Sequence, residues 1–207
     1  LVVLLAWMVI PDIRRNSLVA FLCAIFVVAL AYTLGGHTPV HWLAYYLLPG
    51  IKLFRSVGMA AYVFAFPACV MAAMGLARLL DAEEDERGML QKRLLVGGGV
   101  VGAIALLLAV APGAMTDLWN TIFYSDILPQ KQQIMHATLG WLAKGGLYVA
   151  LVVAAATVLL YMCLNKKVGA GILIVGLGVL VLCDTWRINR VFLKYEDPSA
   201  HADLRKA

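Results

Sequence analysis

The chain has 207 residues, 63% hydrophobic and only 14% charged, with a formal net charge of +5. Soluble domains run nearer half apolar and a quarter charged, so too little polar surface remains here to cover a water-soluble particle. The positive residues sit in short loops between apolar runs instead of forming an aromatic-interleaved stripe, which excludes a nucleic-acid surface and gives the pattern of a polytopic, α-helical membrane protein with the lipid bilayer as its partner.

Leu1–Ile10 is apolar throughout but covers about half of the ~20 residues that a span needs. It lacks a basic leader and a small-residue cleavage site, so it does not read as a signal peptide. The expectation is a partial helix that begins upstream, in a chain that is a piece of a longer protein. Pro11 and the turn Asp12-Ile13-Arg14-Arg15 end it. Leu18–Leu34 is the first full span and stops at Gly35-Gly36. Thr38 then reads as an N-cap and Pro39 as the first residue of a short helix, Pro39–Leu48, closed by Pro49-Gly50. Trp42, Tyr45 and Tyr46 make that helix amphipathic, and ten residues at 1.5 Å each cannot cross ~30 Å of hydrocarbon. It is expected to lie in the interface or to re-enter.

Ala60–Leu80 is the second full span, with Pro67 predicting a kink. A charged loop, Asp81–Arg93, leads to a third span at Leu94–Ala111. A long polar and aromatic loop, Gly113–Thr138, precedes the fourth at Leu139–Leu164. Asn165-Lys166-Lys167 is a tight basic turn, and Val168–Cys183 is a fifth, glycine-rich span. The predicted fold is an all-α transmembrane bundle over residues 1–183, with five full spans and one partial. A polar tail, residues 184–207, leads toward an external domain.

Three turns carry eight of the 17 Lys and Arg residues: Arg14 and Arg15; Arg78, Arg87, Lys92 and Arg93; Lys166 and Lys167. Alternation puts all three on one side, which the positive-inside rule makes cytoplasmic. The opposite loops hold Trp42, Tyr45, Tyr46, Trp119, Phe123 and Tyr124, as an interfacial aromatic belt does. The basic tail, with Arg187, Arg190, Lys194, Arg205 and Lys206, conflicts with the charge rule. Alternation places it outside, because a tail leading into a folded domain is translocated largely regardless of charge.

The four cysteines, Cys23, Cys69, Cys163 and Cys183, lie in or at the end of apolar runs without CxxC pairing, so they read as free thiols. His37 and His41 are four apart, a metal-binding spacing on one helix face. The cap at Thr38 leaves His37 outside the helix, and no metal or cofactor is expected. Gly98-x-x-x-Gly102 is a small-xxx-small pattern for close helix packing, and the glycines at 97, 99, 169, 171, 176 and 178 also lie within spans. Lys144 lies a turn inside its span, where it snorkels. Asp117 and Asp126 are outer-loop carboxylates that could act as a base or bind a cation, solvated loop residues being the default reading, and the catalytic residues are left unassigned. In Ile51-Lys52-Leu53-Phe54-Arg55, two cations follow a helix-ending Pro-Gly. They either hold a lipid phosphate, Arg55 with its fork and Lys52 as a point charge, or snorkel to water.

Leu34-Gly35-Gly36-His37-Thr38-Pro39 leading to Leu48-Pro49-Gly50, then Lys52-Leu53-Phe54-Arg55, and later Asp184-Thr185-Trp186-Arg187-Ile188-Asn189-Arg190-Val191-Phe192-Leu193 together resemble the YfhO family of bacterial membrane proteins. The likeness covers Leu34–Leu80 and Val181–Leu193. Val57 and Met59 stand where members often carry Pro and a second Arg, and Phe192 where Tyr is common. The family is similar to type C glycosyltransferases, multi-span enzymes that take a sugar from a polyprenyl-phosphate donor at the outer face of the bacterial inner membrane. The resemblance implies transfer of a sugar to a cell-envelope acceptor, Arg55 and Lys52 at the donor phosphate, and a catalytic carboxylate outside this chain. A transporter or flippase bundle and a non-catalytic scaffold are the competing classes. One mid-span proline and no acid within the predicted spans count against the transporter.

Overall fold

The computed structural model describes residues 1–35, 38–47, 61–123 and 129–192. Among these, the chain is helical with no strand. The elements are α1 (Val2–Trp7), a 3-10 turn (Ile10–Asp12), α2 (Ser17–Thr33), α3 (Pro39–Leu47), α4 (Ala61–Leu80), α5 (Glu84–Val110), α6 (Pro112–Phe123), α7 (Pro129–Leu164) and α8 (Ala170–Phe192). Four helices are long and apolar enough to cross a membrane: Ala61–Leu80, Glu84–Val110, Gln132–Leu164 and Ala170–Arg187. The chain is a multi-pass membrane helical bundle. Ser17–Thr33, expected as a full span, has 17 residues and so reaches about 25 Å, short of the ~30 Å of hydrocarbon.

Each start has a local cause. Asn16 caps α2, its side chain accepting from the Leu18 amide at 3.0 Å and the Val19 amide at 3.4 Å. Proline begins α3, α6 and α7, where its missing N–H costs nothing. Glu84, Asp85 and Glu86 fill the first turn of α5, next to the positive end of the helix dipole. Thr38 precedes α3 as expected, and its hydroxyl donates to the Ala31 carbonyl at 2.6 Å, tying α3 back to the last turns of α2. At the end of α7, Lys166 adopts φ 57°, while its amide reaches the Cys163 carbonyl at 2.9 Å and the Lys167 amide reaches Met162 at 3.0 Å. This is the left-handed C-terminal turn usually assigned to glycine.

Two expected loops are largely helix, and the start of the expected tail is helix too. Glu84–Arg93 forms the opening turns of α5. The stretch from Gly113 to Thr138 holds most of α6 and the first turns of α7. The tail expected from Asp184 continues α8 to Phe192. A drop in hydropathy marks where lipid ends, not where helix ends. At α6, Met115, Leu118, Trp119 and Ile122 repeat at i, i+3, i+4 and i+7, the stripe of a surface helix twelve residues long.

Helices approach most closely where glycine removes a side chain. A Cβ on Gly75 would sit 2.0 Å from the Leu5 carbonyl oxygen, and one on Gly146 would sit 2.7 Å from the Ala105 carbonyl oxygen. These two positions bring α4 onto α1 and α7 onto α5. Of the expected Gly98/Gly102 pair, Gly98 lies against Thr157, where a Cβ would be 2.5 Å from the hydroxyl, whereas Gly102 faces open space.

The main buried cluster includes Leu4, Leu5 and Met8 of the first segment, Leu79 late in α4, Leu90 and Leu94 early in α5, Leu160 and Leu164 late in α7, and Leu173 and Leu177 early in α8. Every one lies toward the end of the bundle where the charged turns meet. No buried polar or charged residue occurs among those described. The main core cluster is therefore concentrated at that end.

Candidate functional site

The closed end is held by ions. Asp12 bridges to Arg78, and its other carboxylate oxygen stands 3.7 Å from Arg93, with all three side chains about four-fifths buried. Arg93 also donates to the Met8 carbonyl at 3.4 Å, while Trp7 donates its indole N–H to the Arg93 carbonyl at 3.1 Å. α1 ends within that stretch, so the arginine satisfies a carbonyl left without an intrahelical partner. Lys166 reaches Glu84 at 2.9 Å, and Gln91 donates to the Asn165 side chain at 3.1 Å. The turns carrying Asp12, Arg93 and Lys166 thus meet at one end of the bundle.

The open end carries the short aromatic helices. α3 leaves the far end of α2, and α6 leaves the far end of α5. Trp42 and Tyr46 stack at 6.3 Å on α3 and are well exposed. His41 lies 5.4 Å from the Tyr32 ring. Its expected partner His37 is outside the described residues, and no group of three metal-ligating side chains occurs among those that are described. Lys52, Arg55 and Asp126 also lie outside them. Lys144 is exposed about twenty residues before the end of α7, at the depth where a span of that length reaches the interface. Asp117 lies on α6 in place of the expected loop.

Between α5, α7 and α8 is a cleft of about 490 Å³, lined on one side by Val101, Ile104 and Leu108 and on the other by Trp141, Tyr148, Asp184 and Arg187. A second cleft of about 310 Å³, under α6, shares Leu108 and Leu142 with it. The guanidinium of Arg187 lies 4.0 Å from the centre of the Tyr148 ring, within cation–π range. Asp184 is half-buried one turn below, about 4.5 Å along the helix. Among the described residues, α8 contributes no buried residue after Leu177, so the cleft beside its second half stays open.

Sequence reasoning ended the last span at Cys183 and so assigned Asp184 and Arg187 to a tail. Tyr148 passed as one more apolar residue of its span. The i, i+3 spacing of an acid and an arginine beside Thr185 and Trp186 was the available signal that the helix continues. The cleft offers one forked cation, one carboxylate and two amphipathic rings around an apolar trough, a donor set suited to a lipid headgroup. The chain matches no family model, no curated protein and no solved structure.

Proposed function

We propose that this chain belongs to the membrane domain of a protein that transfers a sugar from a polyprenyl-phosphate donor to a cell-envelope acceptor in the bacterial inner membrane. The observation that carries the reading is α3. This nine-residue aromatic helix folds off the end of α2 away from the charged turns, and Lys52 and Arg55 follow it in sequence. A helix too short to cross leaves the chain that follows it on the same side, at headgroup depth. There a phosphate would find a forked guanidinium and an ammonium in a setting drier than bulk water. The resemblance of Leu34–Leu80 and Val181–Leu193 to the YfhO family supports the substrate class.

The test uses the protein that contains this chain, in native membranes, with a radiolabelled polyprenyl-phosphate sugar. Arg55→Ala is expected to abolish transfer, and Arg55→Lys, which keeps charge but loses the fork, to impair it, with membrane protein levels unchanged. Transfer by Arg55→Ala at the unsubstituted rate would overturn the assignment.

A further inference from the structure

We infer that the cleft between α5, α7 and α8 is the seat of a helix that carries the line of α1 on past Leu1, toward the N-terminal side, in the longer protein that contains this chain. The inference shares with the proposed function only the premise of a longer protein, and its test reads helix packing and not sugar transfer.

The argument begins at the contact between α1 and α5. Trp7 donates its indole N–H to the Arg93 carbonyl at 3.1 Å, and a Cβ on Gly97 would stand 2.5 Å from the Trp7 ring. One turn farther along, Val3 and Leu4 share a small apolar cleft with Val100 and Val101. The two helices therefore run antiparallel: as α1 is followed back from Trp7, its neighbours on α5 advance toward Val101. Val101 also lines the large cleft, and Ile104, Ala105 and Leu108 follow it there on the same face of α5. At 5.4 Å per turn, one more turn of α1 would pass Ile104 and Ala105, and a second would pass Leu108. Leu1 packs against the main core cluster, and its amino group lies within electrostatic reach of Asp184, on the cleft wall. The established α1–α5 interface thus runs on into the cleft without a break.

The floor of the cleft favours a helix over lipid chains. Ala105 and Gly145 line it, and a Cβ on Gly145 would meet nothing within 4 Å. Small residues let a second helix backbone come close, whereas an acyl chain moulds to any surface and gains nothing from them. Ile104 and Trp141, 54% and 74% exposed, are the apolar surface that the added helix covers.

The test uses the longer protein in native membranes, with its native cysteines replaced by alanine. A cysteine is placed in turn at each residue of the two helical turns before Leu1 and paired with Ile104→Cys, Leu108→Cys or Leu106→Cys under a copper–phenanthroline oxidant. Leu106 lies about 200° round α5 from Ile104 and does not line the cleft. Disulfides are expected from the nearer turn to Ile104→Cys and from the farther turn to Leu108→Cys, with none to Leu106→Cys, because the bond forms only across a short Cα separation. Gly98→Cys with Thr157→Cys, whose Cβ atoms would stand 3.3 Å apart, should join α5 to α7 and show that the bundle is folded. If that pair forms and neither turn reaches Ile104→Cys or Leu108→Cys, the inference is overturned and the cleft is left to lipid. Disulfides to Leu106→Cys as abundant as those to Ile104→Cys would also overturn it. Failure of the Gly98→Cys and Thr157→Cys pair would overturn the α5–α7 packing on which the cleft depends.

Discussion

Gly75→Ala adds one methyl group, and the structure fixes what it meets. The new Cβ would stand 2.0 Å from the Leu5 carbonyl oxygen and 2.9 Å from its carbon, against a practical floor of 3.0 Å for real Cβ contacts. The obstacle is backbone, so no rotamer change relieves it, and α1 must move by about 1 Å relative to α4. That displacement disturbs Leu5 and Met8, both in the main core cluster, and overpacking of this kind costs about 1–3 kcal/mol. Replacing glycine by alanine in a helix returns about 1 kcal/mol of propensity. With rigid backbone on both sides, the upper end of the cost applies, and the net expectation is a loss of about 2 kcal/mol. Gly99→Ala is the matched control. It is the same chemical change in the middle of α5, with nothing within 4 Å of the new atom, so it should be neutral or stabilising by up to about 1 kcal/mol. Unfolding in mixed micelles of a mild detergent with rising dodecyl sulfate, followed by helix content, measures both. If Gly75→Ala unfolds at the same dodecyl sulfate fraction as Gly99→Ala, the close approach of α1 and α4 is not real.

Asp12→Asn should destabilise by roughly 2 kcal/mol, between the value of an exposed ion pair and that of a fully buried one, because Arg78 and Arg93 lose their shared carboxylate; the same micelle titration, run with Asp85→Asn as an exposed control, checks it. Lys166→Gly and Lys166→Ala should move in opposite directions. Both lose the exposed pair with Glu84, which water screens almost fully, but only glycine relieves the left-handed backbone, worth about 1–2 kcal/mol. Glycine should therefore gain a few tenths of a kcal/mol or more while alanine loses stability, and the same sign for both would refute the strained turn.

The spans were legible because hydropathy reports the surrounding solvent, and runs such as Leu139–Leu164 leave no choice of solvent. The same measure is blind to helix that stands in water or at the interface. Glu84–Arg93 has acids in its first turn and bases after them, and Pro112 and Pro129 each open a helix, yet the absence of an apolar run made all three segments look like loops. Local capping chemistry carried that information, and hydropathy overrode it. Glycine contacts were half legible. Gly98 fulfilled its pattern, but Gly75 and Gly146, which lie against the backbone of a neighbouring helix, differ from Gly99 and Gly102 only in which way each helix is turned. That rotation is set by the whole core and not by spacing along one helix. The cleft was illegible for the same reason. Its polar residues belong to two helices, and Tyr148 meets Arg187 only once α7 and α8 pack antiparallel.

The two ends of the bundle follow from where its small and charged residues fall. Asp12, Arg78 and Arg93 sit at the edge of the apolar region, where water screens them incompletely and a displaced partner leaves a charge half-buried. Their geometry therefore fixes how α1, α4 and α5 are seated. Gly75 and Gly98 allow those helices and α7 to close without voids, and the leucines at 79, 90, 94, 160, 164 and 173 fill what remains. α8 shares in this packing through Leu173, Leu177 and the partly buried Leu180. Beyond them its buried face runs out, and in its place come Asp184 and Arg187, which a dry core would not accept without partners. A helix that carries an acid and an arginine near the end of its apolar stretch cannot pack tightly there at low cost, so a cleft remains beside Tyr148. The cleft at this end is thus a consequence of the same sequence that closes the other.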